Sequence, residues 1–299
     1  LDGSILTMAT AGGVEIRNGA EDRKEPIAGC NLTTTLDLNV MEYATQVANK
    51  LLEQKQAKTV EIIIMNPQNG EIYAMVNAPE FDLNHPYTLV NGKEGMSEKE
   101  KMTALNAMWR NLAVSDTYEP GSTFKMLTAS AAIDCGATSP QEGFYCSGRI
   151  TVDGSTVRCW GAPHGAETMA RALENSCNPV FTQLALRLGS ERFYQYLHAF
   201  GLGRRTGIDL YGEAGGILIG QSRVKNVDLA RIGFGQSVAV TPIQMITAAC
   251  AVVNGGRLMK PYLVEAIEDS DGNLLRQTSP QVAATPISAE TSATMRRLL

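Results

Sequence analysis

The stretch Tyr118-Glu119-Pro120-Gly121-Ser122-Thr123-Phe124-Lys125 is followed at once by the apolar run Met126–Ile133. Its proline and glycine interrupt regular structure, and the run after them predicts a helix that continues until Gly136. Ser122 therefore lies at or near the start of a helix. Lys125 follows three residues later, so both side chains share one helix face about one turn apart. This S-x-x-K pair organises the rest of the chain.

A serine and a lysine in this arrangement can carry out covalent chemistry. A serine hydroxyl is a weak nucleophile until a base removes its proton. The lysine amine can be that base if burial lowers its pKa, and the residues around Lys125 are apolar enough to exclude water. The simpler interpretation is a helix start beside a lysine that reaches solvent. Because S-x-x-K occurs by chance in many proteins, the pattern alone favours the simpler interpretation.

The composition is that of an ordinary globular protein with a mildly acidic balance of charge. The 299 residues carry a formal net charge of −5 and contain no basic run, which excludes the charge pattern of nucleic-acid-binding proteins. The longest apolar stretches are far too short to span a membrane, and Leu1-Asp2-Gly3-Ser4 is no signal peptide. Because the chain begins with Leu1 rather than Met, we expect a trimmed start.

The pattern of helices and strands differs from that of a parallel nucleotide-binding sheet. Asp37 is a predicted N-cap for a helix to about Lys55, and strands at 59–65 and 71–76 flank a short turn, which predicts an antiparallel hairpin. A second hairpin is predicted around Asp153-Gly154. These patterns predict an α+β fold, in which helices flank a mostly antiparallel sheet and one long insertion is helical.

Weaker patterns predict the remaining elements. Pro179 predicts that Ser176 and Asn178 lie in a loop between two helices, because proline removes a donor and restricts the residue before it. The other predicted elements are strands at Ser4–Met8 and Gly13–Arg17, an irregular surface segment at 81–103, a helix at 190–200, a helix starting at Thr241-Pro242, a strand pair at 258–268 and 273–276, and a terminal helix capped by Ser288.

Motifs of other enzyme classes are absent from the sequence. There is no G-x-S-x-G elbow, no H-E-x-x-H zinc motif and no phosphate-binding G-x-x-x-x-G-K. Gly233-Phe234-Gly235 lacks the third glycine and the preceding strand of a dinucleotide-binding loop. Only His85, His164 and His198 are available to a Ser-His-Asp triad. These absences remove most rival chemistries.

A second motif strengthens the case for a serine–lysine site. Ser176-Cys177-Asn178 follows Ser122 and Lys125, and this S-x-x-K plus S-x-N pair resembles, in order and approximate spacing, that of penicillin-binding proteins and serine β-lactamases. Further segments are similar to class B penicillin-binding proteins, especially the branch of stage V sporulation protein D and the cell-division transpeptidases: Thr35–Asn39, Arg110–Ala113, Thr206–Leu210, Gly233–Ser237 and Thr241-Pro242. The resemblance covers about residues 33–299.

The resemblance implies a fold and four catalytic residues. The fold is the penicillin-binding and serine β-lactamase-like α+β fold, with an antiparallel sheet flanked by helices and an all-helical subdomain. Ser122 would be the acylated nucleophile, with its backbone N–H as half of an oxyanion hole, and Lys125 the base that activates it. Ser176 would relay protons to the leaving amine, and Asn178 would orient Lys125 and the substrate amide. No cofactor and no metal are implied.

The implied activity is that of a serine D,D-transpeptidase. Such an enzyme attacks a peptidoglycan stem peptide ending in D-Ala-D-Ala, releases D-Ala and transfers the acyl group to the amine of another stem. β-Lactam antibiotics would acylate the same serine. The resemblance also implies a role in sporulation or cell division, a glycosyltransferase or divisome-type membrane partner, and a location on the extracytoplasmic face of the bacterial cell membrane.

The sequence departs from the family in one motif. The family's third motif, K-[ST]-G on an edge strand, is absent, and Arg205-Thr206-Gly207 is a decoy because other members carry the Ile208–Leu210 segment well before their true motif. We therefore expect residues 1–32 to be a remnant of a non-catalytic domain and 33–299 to be a transpeptidase domain that lacks its third motif. Losing one oxyanion donor typically lowers the rate by ~10²–10³-fold, so full activity is not expected.

Three alternatives share the predicted fold but differ in function. A β-lactam-hydrolysing enzyme needs a group that activates water for deacylation, and the sequence places no extra carboxylate or carboxylated lysine beside Ser122. A β-lactam sensor domain would be acylated without turnover. A non-catalytic scaffold of a cell-wall synthesis complex would be compatible with the missing third motif.

The cysteines are too few and too scattered for a disulfide scaffold. Cys146, Cys159, His164 and Cys177 form a separate group with three open interpretations. They are unlinked thiols with a loop histidine, or a Cys159–Cys177 disulfide of an oxidising compartment, or a Cys₃His zinc site whose spacing matches no standard short motif. The disulfide would tether the Ser176–Asn178 loop and make activity depend on redox state.

Overall fold

The computed structural model describes residues 2–7, 16, 22–90, 92 and 95–299. The predicted strand Gly13–Arg17 lies outside the described residues apart from Ile16. Within the predicted strand Ser4–Met8, Ser4–Leu6 is extended and paired, and Met8 lies outside the described residues. The chain forms two compact units, one of residues 1–35 and 264–279 and the other of residues 36–263 and 280–299.

The described part of the chain contains short strands and nine α-helices. The strands are β1 (Ser4–Leu6), β2 (Asp22–Lys24), β3 (Asn31–Thr34), β4 (Val60–Met65), β5 (Ile72–Ala78), β6 (Gly143–Cys146), β7 (Arg149–Val152), β8 (Ser155–Arg158), β9 (Gly165–Thr168), β10 (Leu258–Met259), β11 (Val264–Glu268), β12 (Leu274–Gln277) and β13 (Val282–Ala284). The helices are α1 (Leu38–Lys55), α2 (Glu98–Met108), α3 (Leu112–Ser115), α4 (Lys125–Asp134), α5 (Met169–Glu174), α6 (Asn178–Ala199), α7 (Asn226–Ile232), α8 (Pro242–Val253) and α9 (Ala289–Leu298).

The first unit is built from strands. β1 pairs with β2, and β11 lies between β3 and β12 in a three-stranded antiparallel sheet. The predicted pairing of the segment before Asp269 with 273–276 is confirmed, but the predicted strand 258–268 is divided, since β10 pairs with β13 in the second unit. The predicted domains, 1–32 and 33–299, have a different boundary from these units. The assignment of separate functions to the two domains stays a prediction.

The second unit begins with a helix packed on a hairpin. The Asp37 carboxylate caps α1 by accepting hydrogen bonds from two backbone N–H groups of its first turn. Ala44 and Ala48 on α1 are buried against β5, where every second residue of the strand is buried. The β4–β5 hairpin is antiparallel, as predicted. Small residues at this contact let the helix lie close to the sheet.

A larger apolar core holds the helices α4, α6, α7 and α8. Phe124 and Leu127 are buried in it at the start of α4, and Phe181 and Leu184 enter it from α6. Gly189 breaks α6 with a φ of 71°, so the predicted separate helix at 190–200 corresponds to the part beyond this kink. Burial of this kind fixes α4, and therefore the residues just before it. None of the helices in the described ranges is both long and apolar enough to span a membrane.

The structure corrects two local predictions and adds one strand pair. Residues 81–103 are not irregular throughout, because α2 begins at Glu98 with a capping box between Ser97 and Glu100. Asn178 is the first residue of α6 rather than a loop residue, since a proline at the second helical position needs no donor. The strands β6 and β9, which pair with each other, were not predicted because no tight turn joins them: β7 and β8 lie between them in the chain.

Candidate active site

Ser122 lies in a single 3₁₀ turn, Gly121–Phe124, that leads directly into α4. Two backbone contacts hold this turn in place. Tyr118 forms an antiparallel bridge with Val240, and the Gly121 N–H donates a hydrogen bond of 3.0 Å to the Gly235 carbonyl. The predicted helix start is confirmed, and the serine is held by a segment more than a hundred residues further along the chain.

Gly235 is required where its backbone approaches that of Gly121. Its φ is 80°, and a Cβ atom there would overlap the Gly121 carbonyl oxygen. We expect Gly235→Ala to lower the free energy of unfolding by roughly 2–5 kcal/mol, the sum of backbone strain and overpacking. Urea denaturation of the variant and the wild type would measure this loss.

Gly136→Ala is the matched control for Gly235→Ala. Gly136 has a similar φ of 69°, but a Cβ there would meet nothing within 4 Å. Gly136→Ala should lower the free energy of unfolding only by the backbone strain, about 1–2 kcal/mol. Equal losses of unfolding free energy in the two variants would mean that the close approach to Gly121 does not add to the destabilisation.

Lys125 is the centre of a hydrogen-bond network that joins the two predicted motifs. Its ammonium nitrogen lies 2.6 Å from the Ser176 carbonyl oxygen, 2.7 Å from Asn178 Oδ1 and 2.9 Å from Ser176 Oγ. Ser122 Oγ is 3.3 Å from the same nitrogen. All four residues predicted from the sequence are therefore brought together around one amine.

The two serine hydroxyls are also in direct contact. Ser176 Oγ lies 2.8 Å from Ser122 Oγ, so a proton can pass between the nucleophile and Lys125 either directly or through Ser176. Ser176 adopts a left-handed backbone conformation with a φ of 53°, which is uncommon outside glycine. Such local strain is often retained where it holds a side chain in a required position.

Burial changes the acid–base behaviour of Lys125. The side chain is 1% exposed and its nitrogen lies 5.7 Å from the centre of the Phe181 ring. Desolvation lowers the lysine pKa to about 8, and the nearby thiols of Cys159 and Cys177 act in the opposite direction to a smaller extent. Roughly a tenth of the amine is therefore neutral at pH 7, which is the form that a general base requires.

The Asn178 side chain connects this network to the edge of the open cleft. Its oxygen contacts Lys125, and its amide nitrogen donates a hydrogen bond of 3.0 Å to the Arg158 carbonyl. Asn178 is therefore oriented at both ends. The cleft beside it has a volume of about 360 Å³, and the exposed side chains of Arg158 and Arg231 lie along its wall. Two arginines against the single carboxylate of Glu119 leave this cleft with a net positive charge that favours an anionic ligand.

No role was predicted from the sequence for two residues of the cleft, Glu119 and Ser237. The Glu119 carboxylate accepts a hydrogen bond of 2.8 Å from the Ser237 N–H, and Ser237 has a φ of 57°. This contact fixes the wall of the cleft against the turn that carries Ser122. The sequence contained only a weak signal, namely that Glu119 lies in the stretch that carries Ser122 and Ser237 lies in the family-like segment Gly233–Ser237.

Arg205-Thr206-Gly207 is engaged in a local contact of its own. The Glu213 carboxylate accepts hydrogen bonds of 2.6 Å from the Thr206 hydroxyl and 3.0 Å from the Gly207 N–H. The threonine hydroxyl is therefore paired inside its own loop. This agrees with the interpretation of the segment as a decoy for the third motif.

The second predicted group also comes together. One ligand atom from each of Cys146, Cys159, His164 and Cys177 lies within 4.8 Å of every other. Cys146 and Cys177 are buried, and the six cysteines are free thiols in the structure. The Cys₃His group borders the catalytic network, because Cys177 stands between Ser176 and Asn178 in the chain.

Comparison with known proteins gives a consistent picture. Residues 60–299 match the family described as penicillin-binding protein transpeptidase domain. Stage V sporulation protein D of Bacillus subtilis is 37% identical over 300 residues, which is 99% of this chain and 44% of that protein. Peptidoglycan D,D-transpeptidase MrdA of Salmonella typhimurium is 33% identical over 80% of this chain and 39% of its own length. The chain thus spans less than half the length of these relatives.

Solved structures are similar in fold as well. Penicillin-binding protein 3 of Mycobacterium tuberculosis, in complex with aztreonam, superposes with a TM-score of 0.80 at 29% identity, over 91% of this chain and 58% of that one. Penicillin-binding protein 2X of Streptococcus thermophilus superposes with a TM-score of 0.83 at 24% identity, over 99% of this chain and 42% of that one, which bears on the fold alone. The predicted α+β penicillin-binding fold is confirmed.

Proposed function

Because the chain belongs to the family of penicillin-binding protein transpeptidase domains, we propose that it is a serine D,D-transpeptidase that cross-links peptidoglycan. The observation that carries the proposal is the network in which Lys125 contacts Ser122, Ser176 and Asn178. The nucleophile and the orienting group both lie within hydrogen-bond reach of the base, as covalent catalysis by an activated serine requires.

The proposed reaction begins with Ser122. Its Oγ attacks the carbonyl carbon of the penultimate D-Ala, while its proton passes to the neutral Lys125 amine or to Ser176. The tetrahedral intermediate collapses, the C–N bond breaks, and the proton is returned to the amine of the departing D-Ala. The amine of a second stem peptide then attacks the acyl carbon, the ester bond to Ser122 Oγ breaks, and the proton lost by that amine returns to Ser122 through Lys125 or Ser176. β-Lactams enter the same first step and stay attached.

The charge of the cleft supports this class of substrate. A stem peptide ending in D-Ala carries a terminal carboxylate, and the exposed Arg158 and Arg231 supply positive charge along the wall of the cleft. Relatives are named as peptidoglycan D,D-transpeptidases and as a sporulation protein, which supports a role in building the wall during sporulation or division. We further propose an extracytoplasmic location and a glycosyltransferase as the membrane partner.

Mapping of the acyl adduct tests the proposal. The natural gene product that contains these residues is incubated with a fluorescent penicillin, digested with trypsin and analysed by mass spectrometry. We expect the adduct on the peptide Asn111–Lys125, at Ser122, with labelling reduced by competing ampicillin. An adduct elsewhere, or none at all, would remove the catalytic assignment. Rapid loss of the label would favour a β-lactam-hydrolysing enzyme instead.

Transfer is tested with a synthetic stem peptide and a D-amino acid acceptor. We expect release of D-Ala together with a product that carries the acceptor. Stable acylation without any transferred product would favour the β-lactam sensor alternative.

A further inference from the structure

Four elements meet at the Cys₃His group. Cys146 ends β6, Cys159 follows β8, His164 precedes β9, and Cys177 is the N-cap residue of α6. β6 pairs only with β9, and β7 only with β8, among the strands that the structure describes. A metal bound between these elements would therefore join two strand pairs that share no ladder with each other within the described residues.

The distances suit a single metal ion. A tetrahedral zinc site has Zn–S bonds of about 2.3 Å, which places its ligand atoms about 3.5–3.8 Å apart. Cys159 Sγ lies 3.7 Å from His164 Nδ1, and the ligand atoms of all four residues lie within 4.8 Å of one another. Only a small contraction is needed to bring them to bonding distance of a common centre.

One oxygen of a buried carboxylate beside the group makes no hydrogen bond to any described residue. Glu167 is 8% exposed, and its Oε1 is one of two buried side-chain polar atoms in the described residues that make no hydrogen bond. This oxygen lies 3.7 Å from His164 Nδ1, beyond hydrogen-bond distance, while Oε2 accepts a bond from Asn175. Leaving a buried carboxylate oxygen unpaired is costly. A divalent cation among the neighbouring thiols would supply the missing positive charge.

We propose that Cys146, Cys159, His164 and Cys177 bind one zinc ion, which fixes the segment Ser176–Asn178 against Lys125. Thiolate and imidazole ligands in tetrahedral arrangement select zinc, and four protein ligands leave no open position for substrate. The ion is therefore structural. On binding, each thiol releases its proton to solvent and forms a bond to zinc, with no change of oxidation state.

The link to catalysis runs through Cys177. The residue before it contributes two oxygens to Lys125, and the residue after it contributes a third. Fixing the Cys177 sulfur therefore restricts both neighbours. This second part of the proposal rests on the proposed function, whereas binding of zinc does not.

Metal content tests the site without any assay of activity. The 299-residue chain is produced in zinc-supplemented medium, purified with a reductant and without a chelator, dialysed, and analysed by elemental mass spectrometry. We expect about one zinc per chain, falling below about 0.2 in Cys146→Ser, because a structural site loses its affinity with one of its four ligands. Cys135→Ser, which removes a half-buried thiol at the edge of the same core, should retain the metal.

Cobalt substitution covers the case in which Cys146→Ser does not fold. Wild-type protein is stripped of metal under reducing conditions and titrated with Co²⁺, which should give thiolate-to-cobalt charge-transfer bands and the visible bands of a tetrahedral site. Reduced, zinc-supplied protein that retains no zinc and gives no such spectrum would overturn the proposal. So would equal zinc contents in Cys146→Ser and Cys135→Ser, or a Cys159–Cys177 disulfide in place of the metal.

Penicillin labelling tests the effect on the catalytic segment. Stripping zinc from the natural gene product should slow acylation about tenfold or more, and adding zinc back should restore the rate. An unchanged rate in stripped protein would overturn the positioning role while leaving the zinc site in place. If neither the stripped nor the loaded protein is labelled, the proposed function fails, and the metal content is still measured.

Discussion

Replacing Ser122 by alanine is expected to abolish covalent labelling of the natural gene product by a fluorescent penicillin. The substitution removes the hydroxyl that lies 3.3 Å from the Lys125 amine and 2.8 Å from Ser176 Oγ. The contacts of Lys125 with Ser176 and Asn178 do not involve it. Ser176 is the competing nucleophile, since its hydroxyl lies 2.9 Å from the same amine. Gel fluorescence after a saturating incubation would measure the loss in Ser122→Ala.

Two further variants make this prediction specific. Ser176→Ala should be labelled more slowly but to completion, because it removes a proton relay rather than the nucleophile. Ser130→Ala should behave like the wild type, since the Ser130 hydroxyl bonds to the Met126 carbonyl within α4. Labelling that persists in Ser122→Ala and disappears in Ser176→Ala would mean that Ser176 is the nucleophile and Ser122 the proton relay. Thermal unfolding of each variant checks that the fold is retained.

Local signals explain why much of the fold could be predicted from the sequence. Asp37, Ser288 and Thr241-Pro242 begin helices where the capping pattern places them. Asp153 and Gly154 both have positive φ, as a tight two-residue hairpin turn requires. In each case a few neighbouring residues determine the backbone. The short strands β6 and β9 lack such a signal, because only their pairing with each other makes them strands.

The contacts of the site itself depend on residues far apart in the sequence. The S-x-x-K and S-x-N motifs indicated which side chains meet, but not that Ser176 contributes its carbonyl as well as its hydroxyl to Lys125. Nothing in the sequence connects Glu119 with the Ser237 N–H, a hydrogen bond that spans 118 residues. The same holds for the Cys₃His group, whose irregular spacing reflects four separate elements. Only the fold brings these partners together.

Replacing Lys125 by methionine is expected to slow acylation by roughly 10²–10⁴-fold, the usual contribution of a general base. Methionine has a similar length and no proton-accepting nitrogen, so the cavity stays filled while the base is lost. The Ser176 carbonyl and Asn178 Oδ1 then lose their donor, and some stability should be lost as well. Stopped-flow measurement of penicillin acylation would give the rate. Lys58→Met, at an exposed lysine outside the network, is the control and should leave the rate unchanged.

The pH dependence separates loss of the base from a general loss of structure. Burial lowers the Lys125 pKa to about 8, and only the neutral amine can accept the Ser122 proton. The wild-type rate should therefore rise about tenfold per pH unit below that value and level off above it, because the neutral fraction follows the same curve. Lys125→Met should lose this rise and be nearly independent of pH between about 6 and 9, since no other group in the network titrates there. A variant that keeps the wild-type profile at a reduced rate would show that another group is the base, and that Lys125 only positions Ser176 and Asn178.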